Sequence, residues 1–439
     1  MGRAAGYKFQ APSDKLQARR GKVVKQVLDF TAACIFPSPQ GMVLPAMDPI
    51  DKQMGMLPAG ATQVISKEEL ERKLKKGAPL RVKLGVDPTT SDLHLGHTVV
   101  LSKLRQFQDF GHTAVLIIGD YTTMIGDPSG RSTTRPPLSH DEIMANAETY
   151  RHQALKILSR DRLEMVFNGD WFARMSFADV IKLSSRVSIS QMMQRRDFKE
   201  RLLKGNDIRH HETLYPIMQG WDSVMVRADV ELGASDQLFN VLVGRDLQKE
   251  HGQEPQVAML LPLLEGLDGT QKMSKSLGNF IGITEPASEI FGKTMKISDE
   301  LMWKWCELLL GRSNSEVAPL KQGHPMEAKK SLAESLAARF HGSDAARKAR
   351  EDFERKFSAR DPASSELTPL HIDTAASWTA LDLVMASGVA SSRSEARRLL
   401  QQGGVELDTN KLKDPQAPVA IQVGGILRVG KKAFFRLVK

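Results

Sequence analysis

Cysteine is almost missing: Cys34 and Cys306 are the two in 439 residues, and no Cys-x-x-Cys pair occurs. That excludes a disulfide framework and a thiolate zinc site, and it fits a reducing cytoplasm. Long apolar runs are missing too. The stretch Val257-Ala258-Met259-Leu260-Leu261 is far below the ~18 residues a membrane helix needs, so no membrane partner is expected. No long internal repeat is found. What remains is 41% hydrophobic and 26% charged, the balance of a soluble globular protein with length for a few domains.

The net charge of +9 is uneven. Residues 1–46 carry seven Lys/Arg against two Asp/Glu, residues 377–439 carry ten against five, and the body between them is near neutral with 44 against 45. A neutral body with a basic end suits a polyanionic partner held at that end, although a solvated basic surface has the same composition. Residues 1–46 read as a basic, disordered leader, with Met42, Met47 or Met54 as candidate starts. A transit peptide is the alternative, weakened by a leader holding just two serines.

From residue 81 the pattern alternates strand and helix. Strands are expected at 81–86, 114–118, 164–167, 230–232 and 257–263, and helices at 96–110, 141–158 and 236–250. In the first helix Val100, Leu104 and Phe107 share a face. Such alternation predicts a doubly wound parallel sheet of the α/β class over residues 47–286. Residues 287–357 read as an all-helical domain, in which Ala328, Leu332, Leu336 and Phe340 recur every fourth residue beside exposed Lys329, Lys330 and Arg339. Residues 358–376 read as a linker. Residues 377–439 read as a small α+β unit whose second helix opens on the capping box Ser392-Arg393-Ser394-Glu395, with Ala396, Leu399 and Leu400 turned inward.

Two short strings carry chemistry. In the first, Gly85-Val86-Asp87-Pro88-Thr89 ends a strand, and His94-Leu95-Gly96-His97 opens the next helix. A helix start offers free N–H groups to phosphate, and two imidazoles three apart can both donate to an α-phosphate, with Gly96 leaving room for the adenine ring. A metal pair is the rival, but no third ligand is suitably spaced; an ordinary helix start is the other. In the second, Lys272-Met273-Ser274-Lys275-Ser276 follows a strand and the turn Gly266–Gly269. By chance it arises in a chain of this length on the order of once in ten thousand. Lys272 and Lys275 can swing onto a leaving pyrophosphate; a solvated lysine loop is the bland reading.

In this order the two strings resemble those that bind ATP and activate a carboxylic acid in class I aminoacyl-tRNA synthetases. From about residue 50 onward the chain resembles the bacterial-type tyrosyl-tRNA synthetases. Gly126-Asp127-Pro128-Ser129-Gly130 matches the family loop whose aspartate holds the substrate ammonium. Tyr215, Gln219 and Asp222 match its Tyr-x-x-x-Gln-x-x-Asp helix, a spacing that shares one face. The resemblance implies that Tyr215 and Gln219 hold the ammonium, that Asp222 takes the phenol hydroxyl, and that Asp236 and Gln237 reach the ribose and the substrate backbone. It also implies a Rossmann-like catalytic domain, a helical anticodon-binding domain and a terminal S4 RNA-binding domain. ATP is then a substrate carrying Mg²⁺ on its phosphates, no protein-bound zinc is expected, and a cytoplasmic homodimer charges tRNA-Tyr. Gly85, Asp87, Thr89, His94, Gly96, His97, Asp236, Lys272, Met273, Ser274 and Lys275 form the expected ATP site.

Three positions depart from the family pattern. Lys83 stands where one branch has a tyrosine touching the substrate hydroxyl, Ala234 replaces a common glycine, and Trp221 replaces a frequent tyrosine. In the S4-like unit Arg393, Arg397, Arg398, Lys411 and Lys413 are the expected phosphate contacts, with Lys431 and Lys432 as further candidates. The sister tryptophanyl enzymes share both class motifs but lack the Tyr215/Gln219/Asp222 helix in this form. A bare RNA-binding protein on a dead scaffold would be free to lose His94, His97, Lys272 and Lys275.

Overall fold

The computed structural model describes residues 48–89, 92–129, 138–357, 367–373, 377–408, 410–430 and 433–439. The readings of the leader, of most of the 358–376 stretch and of Gly130, Lys431 and Lys432 lie outside these residues.

Six strands make the main sheet: β1 (Gln63–Ile65), β2 (Arg81–Val86), β3 (Thr113–Ile118), β4 (Leu163–Phe167), β5 (Val230–Ala234) and β6 (Val257–Leu261). Their order is β1-β6-β5-β2-β3-β4, parallel throughout except for the antiparallel edge strand β1. Ala114–Ile118 and Val257–Leu261 are continuously apolar because both faces of these strands are covered, and every one of these residues is buried. Helices α1 (Leu95–Asp109), α2 (His140–Ala154), α3 (Leu214–Met225) and α4 (Leu238–Glu250) connect or flank the strands.

The chain runs outward from β2 to β3 and β4, then returns to build β5 and β6 on the other side. At this reversal β2 and β5 pair at just two positions, Val82 with Val230 and Lys83 with Glu231, whereas β2 and β3 pair over their whole length. The carboxyl ends of β2 and β5 therefore border the crevice where an open α/β sheet takes its ligand.

Residues 287–357 are helical as expected, with α5 (Ala287–Thr294), α6 (Asp299–Leu310), α7 (Pro325–His341) and α8 (Ser343–Phe357), and a short helix Asn314–Gln322 before α7. Ala328, Leu332 and Leu336 are buried in the main core. The expected exposure of their basic neighbours is corrected. Lys330 is buried between Glu327 and Glu354, at 2.9 Å from each. Lys329 pairs with Asp299 at 2.6 Å, and Arg339 donates to the Leu309 carbonyl and to Ser102 Oγ. Helices pack on both flanks of α7, so its polar stripe meets neighbours, and long side chains bury their stems while their heads find acceptors. The inner face of α1 is also broader than expected. Val99 and Leu101 are buried and Val100 is half-buried, because α1 touches both the sheet and α6.

The C-terminal unit holds α9 (Ala380–Ala386), α10 (Arg393–Gln401) and a five-stranded sheet. With β7 (Thr368–His371), β8 (Trp378–Thr379), β9 (Val405–Leu407), β10 (Asn410–Leu412), β11 (Pro418–Val419), β12 (Ile426–Val429) and β13 (Ala433–Val438), the large sheet runs β10-β9-β12-β13-β7, while β8 pairs with β11. Strand β7 lies inside the stretch read as linker. It pairs in parallel with β13, and Leu370 joins the core. Four residues with a proline carry no periodicity to read, and the pairing is made by the main chain. Ser392 caps α10 as expected, accepting the Glu395 N–H, but the Glu395 carboxylate turns to the N–H and Oγ of Ser391. Ala396 and Leu400 are buried, and Leu399 is half-buried. Among the described residues no helix is long and apolar enough to cross a membrane.

Candidate functional site

Strand β2 ends at Val86, and the chain turns through Asp87, Pro88 and Thr89 toward α1, with the Thr89 N–H on the Asp87 carbonyl at 2.7 Å. Gly85 is exposed at the strand end. Asp87 is pinned from two sides: its Oδ1 accepts from Thr122 Oγ1 at 2.8 Å and its Oδ2 from Tyr215 Oη at 2.9 Å. At neighbouring Gly119 a Cβ would stand 2.3 Å from Asp87 Oδ1, so glycine is required there.

His94 is the cap of α1. Its Nδ1 accepts the Gly96 N–H at 3.1 Å, and His97 Nδ1 accepts the His94 N–H at 3.2 Å, with the ring centroids 3.9 Å apart. A ring nitrogen that accepts cannot carry the proton, so this geometry assigns the proton of both neutral rings to Nε2. Burial, reinforced by the His97 ring and the Lys275 ammonium, holds His94 down to about 2. Burial and Lys275 hold His97 down to about 4. At neutral pH the pair thus offers two Nε2–H donors and no charge. Gly96 has a nearer task than making room for adenine: a Cβ there would lie 2.9 Å from the His94 ring.

The lysine string is held by a folded loop. The Met273 N–H bonds the Leu264 carbonyl at 2.8 Å, and the Met273 side chain is buried in the main core, where it anchors the loop. Asp268 accepts the N–H groups of Thr270 and Gln271, which with Asn279 bring its carboxyl down to about 2. Asn279 Oδ1 accepts the Ser274 N–H at 2.8 Å, and its Nδ2 reaches Asp268 and the Lys272 carbonyl. Beyond it, the Ile281 carbonyl takes the Leu95 N–H at 3.0 Å and the Ile283 N–H bonds the Leu93 carbonyl at 3.1 Å. Two strings distant in sequence are thereby laced together. Lys272 rests on Asp236 at 3.1 Å and Lys275 on Asp92 at 2.8 Å.

Across the crevice, α3 presents Tyr215, Gln219 and Asp222. Tyr215 is buried, and burial with the Asp87, Asp127 and Asp222 carboxylates pushes its phenol well above the usual value. These three acids therefore surround one ring, an environment that favours a cation. Asp127 accepts the Ser129 N–H and, at 2.8 Å, Gln237 Nε2. Gln219 Nε2 donates to Glu231, and its Oε1 accepts from Asn240 Nδ2 at 2.9 Å. Asp222 accepts from Trp171 Nε1 at 3.0 Å and Asn168 Nδ2 at 3.3 Å, and burial pushes it up to about 7 against the pull of Lys83 and these two donors. Lys83 is fully buried, donating to the Gln219 carbonyl and Ser223 Oγ at 2.7 Å each and pairing with Glu231 at 2.9 Å. Its three N–H groups are thus engaged by the protein. Trp221 stacks edge-on against His251.

Asn168, Trp171, Arg195, Asn240 and Asn279 lie outside the expected set, yet each bonds an expected site residue or its loop. No motif marks them. The one available signal was a polar residue inside an otherwise apolar helix face, as with Asn240 in α4. In the C-terminal unit Arg393, Arg397, Arg398, Lys411 and Lys413 are all exposed. Among the described residues no group of three or more His, Cys, Asp and Glu is arranged to hold a metal ion.

Comparison with known proteins places the chain in a family. Residues 75–358 match the family described as tRNA synthetases class I (W and Y), and residues 381–422 match the S4 domain. The chain is 48% identical over 395 residues to a tyrosine–tRNA ligase of Oleidesulfovibrio alaskensis, covering 89% of this chain and 99% of that protein. It is 46% identical over 390 residues to one of Aquifex aeolicus, covering 88% and 99%. In fold it resembles a tyrosyl-tRNA synthetase of Archaeoglobus fulgidus complexed with L-tyrosine, with TM-score 0.57 and 22% identity over 69% of this chain and 100% of that one. A C-terminally truncated mitochondrial tyrosyl-tRNA synthetase of Aspergillus nidulans gives TM-score 0.58 at 19% identity, over 70% and 94%.

Proposed function

The chain belongs to the tyrosyl-tRNA synthetases, within the class I family of tryptophan and tyrosine enzymes, and from that premise we propose how its own residues work. It is a tyrosine–tRNA ligase: L-tyrosine and ATP give tyrosyl-AMP and pyrophosphate, and the tyrosyl group then passes to the 3′-terminal adenosine of tRNA-Tyr. In the first step a carboxylate oxygen of tyrosine bonds to the α-phosphorus as the bond to the bridging pyrophosphate oxygen breaks. In the second, a ribose hydroxyl of the tRNA attacks the acyl carbon and AMP leaves. No protein nucleophile takes part, so catalysis is positioning together with stabilisation of spreading phosphate charge.

His94 and His97 donate through Nε2–H to the α-phosphate, and Lys272 and Lys275 neutralise the departing pyrophosphate. The supporting observation is their convergence on one crevice, with each lysine parked on a carboxylate, Asp236 or Asp92, that it can leave. Ribose hydroxyls donating to Asp236 would release Lys272 to the phosphates. Gly85, Asp87 and Thr89 border the nucleotide, Gly96 serves it by seating His94, and Met273 and Ser274 carry the loop. Magnesium enters on the ATP phosphates. Asp127, Tyr215, Gln219 and Gln237 receive the ammonium end of tyrosine, and Asp222 receives the phenol hydroxyl. A site that bonds this hydroxyl leaves buried polar groups unpaired when phenylalanine enters, which costs about 1–3 kcal/mol or more. Rejection of phenylalanine by tyrosyl-tRNA synthetases is itself the familiar example of this effect.

The proposed domain limits are 47–286 catalytic, 287–357 anticodon-binding, and an S4 unit from β7 to the C-terminus that contacts tRNA through Arg393, Arg397, Arg398, Lys411 and Lys413. The enzyme works in the cytoplasm as a homodimer. Support for the dimer comes from exposed Phe177, Ile181, Ile189 and Leu203 on consecutive short helices of the catalytic domain, since large exposed apolar side chains in one region suit association. The test of the whole reading is ATP–pyrophosphate exchange with each of the twenty amino acids. Tyrosine should support exchange far better than phenylalanine or tryptophan; a tryptophan signal, or none, overturns it.

A further inference from the structure

We infer that Arg195 and Asn240 set the hydrogen-bond polarity of the ammonium pocket, turning the carbonyl oxygens of Gln219 and Gln237 toward the substrate cation. The inference rests on the tyrosine site proposed above. Arg195 is 3% exposed and Asn240 is 1% exposed. A guanidinium only donates, and Arg195 Nη1 lies 2.7 Å from the side-chain oxygen of Asn240. The Asn240 amide can therefore face one way: flipped, its nitrogen would meet the Arg195 donor and its oxygen the two glutamine oxygens. Its Nδ2 is then committed to the other side, where it donates to Gln219 Oε1 at 2.9 Å and to Gln237 Oε1 at 3.0 Å.

The same direction is enforced from the far ends. Gln219 Nε2 donates to Glu231, and Gln237 Nε2 donates to Asp127, both carboxylates that only accept when ionised. Arg195 also grips the neighbouring loop: Nη2 donates to Ser129 Oγ at 3.0 Å, and the Ser129 N–H bonds Asp127. Asp197 holds the guanidinium itself through Nε and Nη2. One buried cation thus orients both glutamines and the aspartate. Each carbonyl oxygen can accept a second bond, and beside Asp127 these oxygens form a cluster of acceptors matched to an ammonium group. With either glutamine reversed, an N–H would face that cation. Neither Arg195 nor Asn240 needs to touch tyrosine, so both are positioning residues.

The test compares three ligands on wild type, Asn240→Ala and Asn240→Leu: L-tyrosine, tyramine, and 3-(4-hydroxyphenyl)propionate, which lacks the amine. Dissociation constants for tyrosine and tyramine should rise roughly ten- to a hundredfold, the scale of one hydrogen bond to a charged group. The amine-free acid should change less than threefold, the KM for ATP should hold, and kcat for exchange should fall less than the tyrosine affinity. Arg195→Lys, which keeps a donor but loses the fork, should fall between wild type and Asn240→Ala. Equal weakening of all three ligands would mean a merely structural role, and unchanged tyrosine affinity would remove the role altogether; either overturns the inference. Wild type failing to bind tyrosine would instead overturn the proposed function, so the two failures are distinct.

Discussion

The two halves of the crevice are built differently. On the nucleotide side the functional groups come from two short contiguous strings, and its lysines, Lys272 exposed and Lys275 half-buried, are held by carboxylates they can exchange for phosphate. On the amino-acid side the groups come from four separate segments around Asp127, Asn168, Tyr215–Asp222 and Gln237–Asn240, and most are buried in a shared web of hydrogen bonds. The contrast follows from the work proposed for each side. Charge that appears during reaction needs cations that can move toward it, whereas discrimination between similar amino acids needs partners already fixed before binding.

The sharpest way to break this comparison is to cut the nucleotide side alone. Lys275→Ala or His97→Ala should slow adenylate formation roughly a hundredfold or more, the usual loss of a transition-state donor, while the dissociation constant for tyrosine stays within about twofold of wild type. Stopped-flow or pyrophosphate-exchange rates beside equilibrium binding check both halves of the claim. Parallel loss of tyrosine affinity would merge the two sides into one.

On the amino-acid side the handle is pH. Asp222 is pushed up to about 7 by burial, so lowering the pH through 7 protonates it and removes the carboxylate proposed to receive the phenol hydroxyl. Tyrosine affinity should therefore weaken as pH falls, approaching about tenfold per unit below 7, and Asp222→Asn should flatten that dependence. His94 and His97 lie well below this range, so the exchange rate at saturating tyrosine should show no imidazole titration near pH 6.5.

Asn279→Ala should have a smaller effect. Loss of its bonds to Ser274 and Asp268 should lower the exchange rate severalfold through the Lys272–Lys275 loop and reduce stability by about 1–3 kcal/mol, measurable by urea unfolding. Tyrosine binding should again be spared. The smallest expected effect is that of deleting residues 367–439, which should leave exchange within about twofold. Charging of tRNA should meanwhile need more tRNA and lose salt sensitivity, because fewer counterions are released. Starting the deletion at 377 would strand β7, which pairs with the final strand.

The nucleotide side was legible because each of its strings sits at a place that local rules recognise, a strand end, a helix cap and a loop after a strand. The α/β alternation was legible for the same reason, in the apolar runs of β3 and β6. Less could be read of the polar core. Lys83 and Glu231 are distant in sequence and become cross-strand neighbours only when β2 meets β5. Lys330 carries the same local signature as an exposed lysine until α8 brings Glu354 against it.

The sequence by itself determined the class of chemistry, since the histidine string and the lysine string need only a helix cap and a loop to take shape, and it determined the order of domains through charge and periodicity. Tertiary structure decided which way the amides face, which lysine is buried, and which carboxylate loses its acidity. Those properties belong to contacts between segments far apart in the chain. A donor, an acceptor or a burial imposed by such a neighbour leaves no trace in local pattern.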